Sequence, residues 1–147
     1  MNEGNVRQML REKLGKDCHF CPIENSAGTG IPDVNICYRG CDFWIEIKYR
    51  EEAPKRKDTV ALKGYLRPQQ KVWMTLRLDN EAKNIFLFVR IESEFFLYHI
   101  KDKTSLEALE TMTVGELYEK AVWYGITHST SQDEWRDCLS VMENMSK

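Results

Sequence analysis

Apolar and polar residues alternate along two short stretches, residues 33–38 and 43–48, which are joined by a glycine-containing turn. This period of two predicts a β-hairpin, because successive side chains of a strand point to opposite faces of a sheet. One face would carry apolar side chains from both strands. The other would carry Asp33, Glu46 and Lys48. Two acids and a lysine are therefore predicted to project from the same side of one small sheet.

The two carboxylates pose an electrostatic problem that suggests a function. At about 4 Å apart they would repel by roughly 4 kcal/mol at an effective dielectric near 20, so at neutral pH they need a cation or a proton between them. Mg²⁺ binds through one or two carboxylates together with a substrate phosphate. Lys48 could then orient the attacking water or stabilise charge that builds on phosphorus. The plainer alternative is a solvent-facing salt bridge on an antiparallel sheet.

The order of these residues resembles that of a known group of nucleases. Pro32-Asp33, then twelve residues, then Glu46-Ile47-Lys48 at the end of an apolar strand resembles the PD-(D/E)XK nuclease superfamily. Residues 28–34 read GTGIPDV and residues 66–70 read LRPQQ. These are similar to the VRR-NUC branch, whose pattern runs G-x-PD-hydrophobic, E-hydrophobic-K and L-x-P-x-Q. The resemblance covers about residues 1–100.

The resemblance implies a fold and an activity. The fold would be α/β, a restriction-endonuclease-like core with a mixed sheet of about five strands flanked by helices. This core would span residues 1–101, and residues 102–147 are predicted to form a helical C-terminal extension of the same domain. The implied activity is endonucleolytic hydrolysis of DNA phosphodiester bonds that depends on Mg²⁺ or Mn²⁺. By the same resemblance, Asp33, Glu46 and the Ile47 carbonyl would hold the metal.

A predicted helix over residues 3–14 supplies a candidate for a further metal ligand. On a helical wheel Glu3 lies within the apolar stripe and Glu12 lies opposite it. Many nucleases of the resembled superfamily carry a metal-directed glutamate on an N-terminal helix, so Glu3 is the candidate and Glu12 the reserve. A glutamate at a helix N-terminus also interacts favourably with the helix dipole, which is the alternative role of Glu3.

Two further catalytic roles follow from the resemblance. Lys48 would assist the attacking water. Gln70 would lie near the active strand and either contact substrate or hold the lysine, although the adjacent Gln69 could take its place. Stand-alone proteins of this branch and size are often virus-encoded homodimers that cut branched DNA such as Holliday junctions. The implied partners are therefore branched DNA and a second copy of the chain.

The remaining core segments have simpler patterns. Residues 49–65 are charged and without periodicity, which predicts a mobile loop that could order on a ligand. The other predicted elements are an edge strand over residues 19–23 containing Pro22, a glycine-containing loop over residues 25–30, a helix from Pro68 to about Arg77, and a central hairpin over residues 84–89 and 94–100.

Three capping boxes predict that the C-terminal third is helical. They begin at Thr104, Thr113 and Ser131, each followed three residues later by glutamate, and Gly125 is predicted to end the middle helix. Such helices could cover a sheet face, form a dimer interface or dock a partner.

Charge is unevenly distributed along the chain. The formal net charge is −2, which argues mildly against a nucleic-acid ligand. From Lys48 to Lys71, however, eight basic residues oppose three acidic ones. This block follows the proposed active strand, where a phosphate backbone would lie, although a solvated loop is an equal alternative. The predicted DNA-binding residues are Arg50, Lys55, Arg56, Lys57, Lys63, Arg67 and Lys71.

The cysteines suggest a rival function. Cys18, Cys21, Cys37 and Cys41 come close to the spacing of a four-thiolate zinc site. A zinc-stabilised nucleic-acid-binding module without catalysis is therefore an alternative, and free, partly buried thiols are the simpler one. A third alternative is a catalytically silent interaction protein that keeps the nuclease fold.

The composition favours an intracellular protein. An odd count of five cysteines does not indicate a secreted disulfide framework. No apolar run approaches the roughly 20 residues of a membrane helix, and the first ten residues lack the apolar core of a signal peptide. The expected location is a reducing cytoplasm, with a virus-encoded protein acting in a host cell as one possibility.

Overall fold

The computed structural model describes residues 1–24 and 28–147, which form five helices and six strands. In chain order these are α1 (Glu3–Leu14), β1 (His19–Pro22), β2 (Val34–Tyr38), β3 (Cys41–Arg50), α2 (Pro68–Asp79), β4 (Ile85–Ile91), β5 (Glu94–Ile100), α3 (Lys103–Ala108), α4 (Val114–Lys120), β6 (Trp123–Ile126) and α5 (Gln132–Met145).

The predicted hairpin is present and sits inside a larger sheet. β2 and β3 pair antiparallel around a turn in which Arg39 and Gly40 both have positive φ angles, 53° and 80°. These are the angles of the central residues of a type I′ turn. The six strands lie side by side in chain order, and only β3 and β4 run parallel. The α/β fold with a mixed sheet flanked by helices is therefore confirmed, with one strand more than expected.

Helices cover both faces of the sheet, so the fold has three layers. On one face α1 and α5 pack over a core that includes Ile45, Ile47 and Trp135. On the other, α3 and α4 contact β5 and α2 contacts α3, enclosing a second core with Leu87 and Phe96. None of the helices in the described part of the chain is long and apolar enough to cross a membrane.

The C-terminal third departs from the prediction at its middle helix. Gly125 was expected to end that helix, but α4 ends at Lys120 and Gly125 lies within β6, paired with β5. Residues 123–126 alternate between buried and exposed, which is a strand pattern. A Cβ on Gly125 would lie 2.7 Å from the Trp123 ring and 2.9 Å from the Thr130 hydroxyl. Close packing, not helix termination, accounts for this glycine.

The predicted helix starts are right in two of three cases. Thr113 and Ser131 cap α4 and α5 through reciprocal bonds with Glu116 and Glu134. The third prediction, a cap at Thr104, is wrong because α3 begins two residues earlier than that cap implies. Asp102 caps it, and its carboxylate accepts a 2.8 Å bond from the Ser105 N–H.

The two segments predicted as loops differ in how far they pack against the rest of the protein. The segment predicted as a mobile loop is partly packed: β3 extends through Arg50, Val60 forms a bridge with Thr113, and Ala61 and Leu62 are buried. In the loop predicted over residues 25–30, residues 25–27 lie outside the described part of the chain.

Candidate metal centre

A gap between two strands forms the centre of the site. β2 pairs with β3 only as far as Val34 opposite Ile45, whereas β3 continues to Arg50 alongside β4. Asp33, just before β2, occupies the opened edge, and its Oδ2 accepts a 2.7 Å hydrogen bond from the main-chain N–H of Ile47. The N–H and C=O of one strand residue point to the same edge. The Ile47 carbonyl therefore also faces the gap, as expected for a ligand.

Three carboxylates meet in this gap. One oxygen each from Glu3, Asp33 and Glu46 lies within 4.8 Å of the other two. Glu3 reaches the gap from the first turn of α1, whereas the reserve candidate Glu12 is exposed elsewhere on that helix. Within residues 1–24 and 28–147 this is the only such cluster of potential metal-ligating side chains. Carboxylate oxygens are ligands that Mg²⁺ and Mn²⁺ prefer.

Glu46 belongs to a buried network with Lys48 and Gln70. The side chains of Glu46 and Lys48 are only 1% and 3% exposed. Glu46 Oε2 lies 3.2 Å from Lys48 Nζ and accepts a 2.9 Å bond from Gln70 Nε2. Gln70 Oε1 accepts bonds from Lys48 Nζ at 3.2 Å and from the Arg67 N–H at 2.9 Å. Since both partners of Oε1 are donors, the amide has one orientation that satisfies the whole network.

The start of α2 explains why Gln70, and not Gln69, enters this network. Pro68 opens the helix, and Gln70 at its third position folds back onto the main-chain N–H of Arg67, the residue that precedes the helix. Gln69 instead lines the pocket beside the acids. The contribution of the Arg67 main chain was not predicted. Proline at the first helical position and glutamine at the third, the spacing of a capping box, could have indicated it.

One oxygen of the buried Glu46 has no partner. Oε2 receives two donors, but Oε1 is inaccessible to solvent and has no hydrogen-bond donor among the described residues. Burial raises the pKa of Glu46 to about 8, and the charge of Asp33 adds to the rise while Lys48 opposes it. Burial also raises the pKa of Glu3. The charge of Lys48 opposes this rise, and the charge of Asp33 adds to it. A buried acceptor beside two acids fits a cation, since a cation satisfies Oε1 and relieves the repulsion.

A close main-chain contact at Gly30 holds the segment that leads to Asp33 against the start of α2. A pocket of about 150 Å³ lies here, with polar walls that include Glu3, Asp33 and Arg67. Gly30 forms part of the wall with φ of 78°, and a Cβ there would lie 2.0 Å from the Gln69 carbonyl oxygen. Only glycine permits both the angle and the approach. Gly30 thus joins the loop that carries Asp33 to the turn that carries Gln70.

The cations predicted to bind DNA have different surroundings. Arg50 is half-buried, and its guanidinium donates to the main-chain carbonyls of Glu52 at 2.9 Å and Ala61 at 2.8 Å, which fixes the segment after β3. Lys71 forms an ion pair with Glu110. Arg67 lies at the acidic pocket. The exposed members of the set are Lys55, Arg56, Lys57, Lys63, Arg67 and Lys71.

The four cysteines do not come together as a zinc site would require. Cys21 and Cys37 lie on one face of the sheet, because both share the face of Asn35 by pairing and alternation. Cys41 lies on the opposite face, packed against the core beneath α1. These cysteines are free thiols, and in the described part of the chain they form no metal-ligating group.

Comparison with known proteins leaves the family open. No family model matches the chain, and no curated protein matches it. A solved structure with some similarity is Hjc, a Holliday junction resolvase from the archaeal hyperthermophile Archaeoglobus fulgidus. The two chains are 14% identical, and the match covers 79% of this chain and 98% of the resolvase chain with a TM-score of 0.47. Similarity at this level does not establish a shared activity.

Replacing Gly30 with alanine should destabilise the protein and displace Gln70. We expect Gly30→Ala to lower the free energy of unfolding by more than about 2 kcal/mol, because it combines a left-handed backbone with a steric clash. Gly40→Ala is the matched control, since Gly40 has φ of 80° and open space around its Cβ position; it should cost only about 1–2 kcal/mol. Denaturant titration measures both. Equal losses would contradict the close contact with Gln69.

The pKa of Glu46 predicts how stability depends on pH without divalent ions. Because the folded-state pKa is about 8 and the ordinary value is 4.5, the folded protein binds this proton more tightly than the unfolded chain. The resulting stabilisation is fully present below about pH 4.5 and is lost as pH rises through about 8. Denaturant titrations in EDTA should show this fall for the wild type and a flatter profile for Glu46→Gln. Parallel profiles would show that Glu46 is not the group responsible.

Proposed function

We propose that this protein is a divalent-metal-dependent endonuclease that hydrolyses DNA phosphodiester bonds. The observation that carries the proposal is the buried Glu46, whose Oε1 has no hydrogen-bond donor among the described residues and whose carboxylate lies beside those of Asp33 and Glu3. An acid in an ordinary surface salt bridge would not need to leave a buried oxygen without a donor. The motif resemblance to PD-(D/E)XK enzymes is independent support, because it selects Asp33, Glu46 and Lys48 from sequence alone.

Each residue of the centre has a role in this proposal. Asp33, Glu46 and the Ile47 carbonyl would hold Mg²⁺ or Mn²⁺, with Glu3 as a further ligand. Such an ion supplies Lewis acidity, which activates water and neutralises charge on a phosphate. Lys48 would orient the attacking water and stabilise negative charge as it develops on phosphorus. Gln70 would hold the Lys48 ammonium, to which it is already bonded.

The finer part of the proposal is the substrate. The VRR-NUC resemblance of residues 28–34 and 66–70 favours branched DNA, including four-way junctions, and a homodimer whose two sites address two strands. Arg67, which lines the pocket, and the other exposed cations of the segment before α2 would contact the phosphate backbone. Arg50 would act differently from the rest, by holding the segment that leads to α2.

The two rival functions receive less support. A zinc module needs four thiolates at one point, and the opposed faces of Cys37 and Cys41 do not favour it. A silent interaction protein would have no need for three acids around a buried lysine. Stoichiometric zinc together with DNA binding would favour the zinc module. A lack of metal-dependent activity on any DNA would favour the silent interaction protein.

Metal binding can be tested separately from catalysis. At roughly a hundredfold excess over Kd, Mg²⁺ or Mn²⁺ should raise the wild-type Tm by roughly 5–10 °C. Asp33→Asn should lose most of this rise, while its amide oxygen can still accept the Ile47 N–H and preserve the fold. Asp42→Asn, at an exposed acid on the same hairpin, is the control and should keep the rise. An equal rise in both variants would remove Asp33 from the metal site.

Cleavage assays test the activity and the substrate. We expect the wild type to cut a four-way junction in Mg²⁺ or Mn²⁺ and not in EDTA, with linear duplex, single strand and flap DNA compared in parallel. Lys48→Met should cut at least about a hundredfold more slowly, while saturating metal still raises its Tm. Cleavage of linear DNA alone would retain the nuclease and discard the junction preference. Metal-dependent stabilisation without cleavage of any substrate would contradict the proposed activity.

A further inference from the structure

One side of α2 carries exposed apolar side chains next to a half-buried tryptophan. Its side chains recur at helical spacing and form what we call the α2 stripe, which consists of Gln69, Val72, Trp73, Leu76 and Arg77. Val72 and Leu76 are 60% and 59% exposed. Exposed apolar side chains that adjoin one another on a helix indicate a binding surface more strongly than isolated ones do.

The aromatic part of the stripe is held rigidly. The rings of Trp73 and Trp44 meet edge to face with centroids 5.3 Å apart. The Arg77 guanidinium lies over both rings, 4.6 Å from the Trp73 centroid and 5.5 Å from that of Trp44. This arrangement fixes a cation on an aromatic platform, since guanidinium groups stack on indole faces.

The stripe begins at the metal centre. Gln69 lines the acidic pocket, and Trp44 lies two residues before Glu46 on the same face of β3. From Gln69 to Arg77 the helix advances about 12 Å. A strand with a phosphodiester at the acids could therefore follow the stripe without leaving the protein surface.

We propose that the α2 stripe binds the bases of an unpaired DNA strand next to the phosphodiester held at the metal centre; this rests on the proposed function and specifies its substrate. Bases stack on aromatic side chains with little regard to sequence, and Arg adds a cation–π contribution. The strand must be unpaired, because bases in a duplex are stacked on one another.

Charge favours DNA over a second copy of the chain as the occupant. A two-fold contact centred on the stripe would run the two copies of α2 antiparallel, so Arg77 near one end of each helix would face Arg67 at the other end of its partner. Like charges across an interface oppose association. A polynucleotide carries the complementary charge and offers flat apolar faces to the indole rings.

Strand binding in EDTA tests the stripe while cleavage is prevented. The probe is a fluorescently labelled single strand of mixed sequence, compared by anisotropy with the same strand in a duplex. We expect Trp73→Leu to weaken binding of the single strand by about tenfold or more and binding of the duplex by less than about twofold. Trp73→Phe should restore most of the affinity, and Arg77→Gln should reduce it several-fold. Arg11→Gln, at an exposed position on α1, is the charge control and should bind as the wild type does.

Other outcomes would overturn the inference. The inference fails if Trp73→Leu and Arg77→Gln bind the single strand as tightly as the wild type does. It also fails if these variants lose affinity equally for the single strand and the duplex. A wild-type dimer in sedimentation that Leu76→Arg converts to monomer would identify the stripe as a self-association surface. The metal-induced rise in Tm separates this inference from the proposed function: Trp73→Leu should retain the rise. If the wild type shows no rise but its strand binding depends on Trp73, the proposed function fails and the stripe remains a nucleic-acid surface.

Discussion

The buried carboxylate of Glu46 is the constraint on which the rest of the centre depends. Removing an ionised group from water costs several kcal/mol even after the protein has relaxed around it. Lys48 and Gln70 compensate at one oxygen only. At the other, no donor is present in the described part of the chain, and the carboxylates of Asp33 and Glu3 lie beside Glu46. Two states therefore stabilise the centre: Glu46 either keeps its proton or binds a cation together with the other acids. The raised pKa of Glu46 shows that, without a cation, the protonated form is favoured.

The sheet must open to create this environment, and several separate segments keep it open. If β2 had continued alongside β3, its backbone would have occupied the position of the Asp33 carboxylate. The loop before Asp33 instead turns away and packs through Gly30 against the start of α2. That start is positioned by the preceding segment, which Arg50 secures through main-chain carbonyls. One face of β3 carries Glu46, Lys48 and Arg50 at alternate positions. This face therefore supplies the buried acid, its ion-pair partner and the arginine that binds the segment leading to α2.

Local patterns made much of this predictable. The alternation in residues 33–48 gave the hairpin, and its phase placed Glu46 and Lys48 on one face. Helical spacing placed Glu3 within the apolar stripe of α1 and Glu12 opposite it, and the family resemblance then selected Glu3, whose carboxylate lies near those of Asp33 and Glu46 in the structure. The failures have a common cause, since they depend on contacts distant in sequence. β6 forms because β5 offers an edge to residues 123–126, and no local signal distinguishes that segment from the end of a helix. Two other patterns acquire surroundings that sequence could not show. Cys37 and Cys41, whose spacing left a zinc site as an alternative to free thiols, lie on opposite faces because of the hairpin turn. Arg50, predicted to contact DNA, donates to carbonyls that lie up to eleven residues away.

The acids and the DNA of the proposed function place opposite demands on one small region. Three carboxylates in the gap repel a phosphodiester, and a chain of net charge −2 supplies little long-range attraction to offset them. A divalent cation in the gap, together with Lys48, balances the three negative charges, so a strand no longer meets the negative centre that the metal-free protein presents. A phosphate oxygen would in turn give the ion another ligand. By linkage, each then strengthens binding of the other by the same factor. Contacts remote from the acids are needed to retain a strand before the ion is in place, and an aromatic platform serves this purpose because stacking does not depend on the charge in the gap.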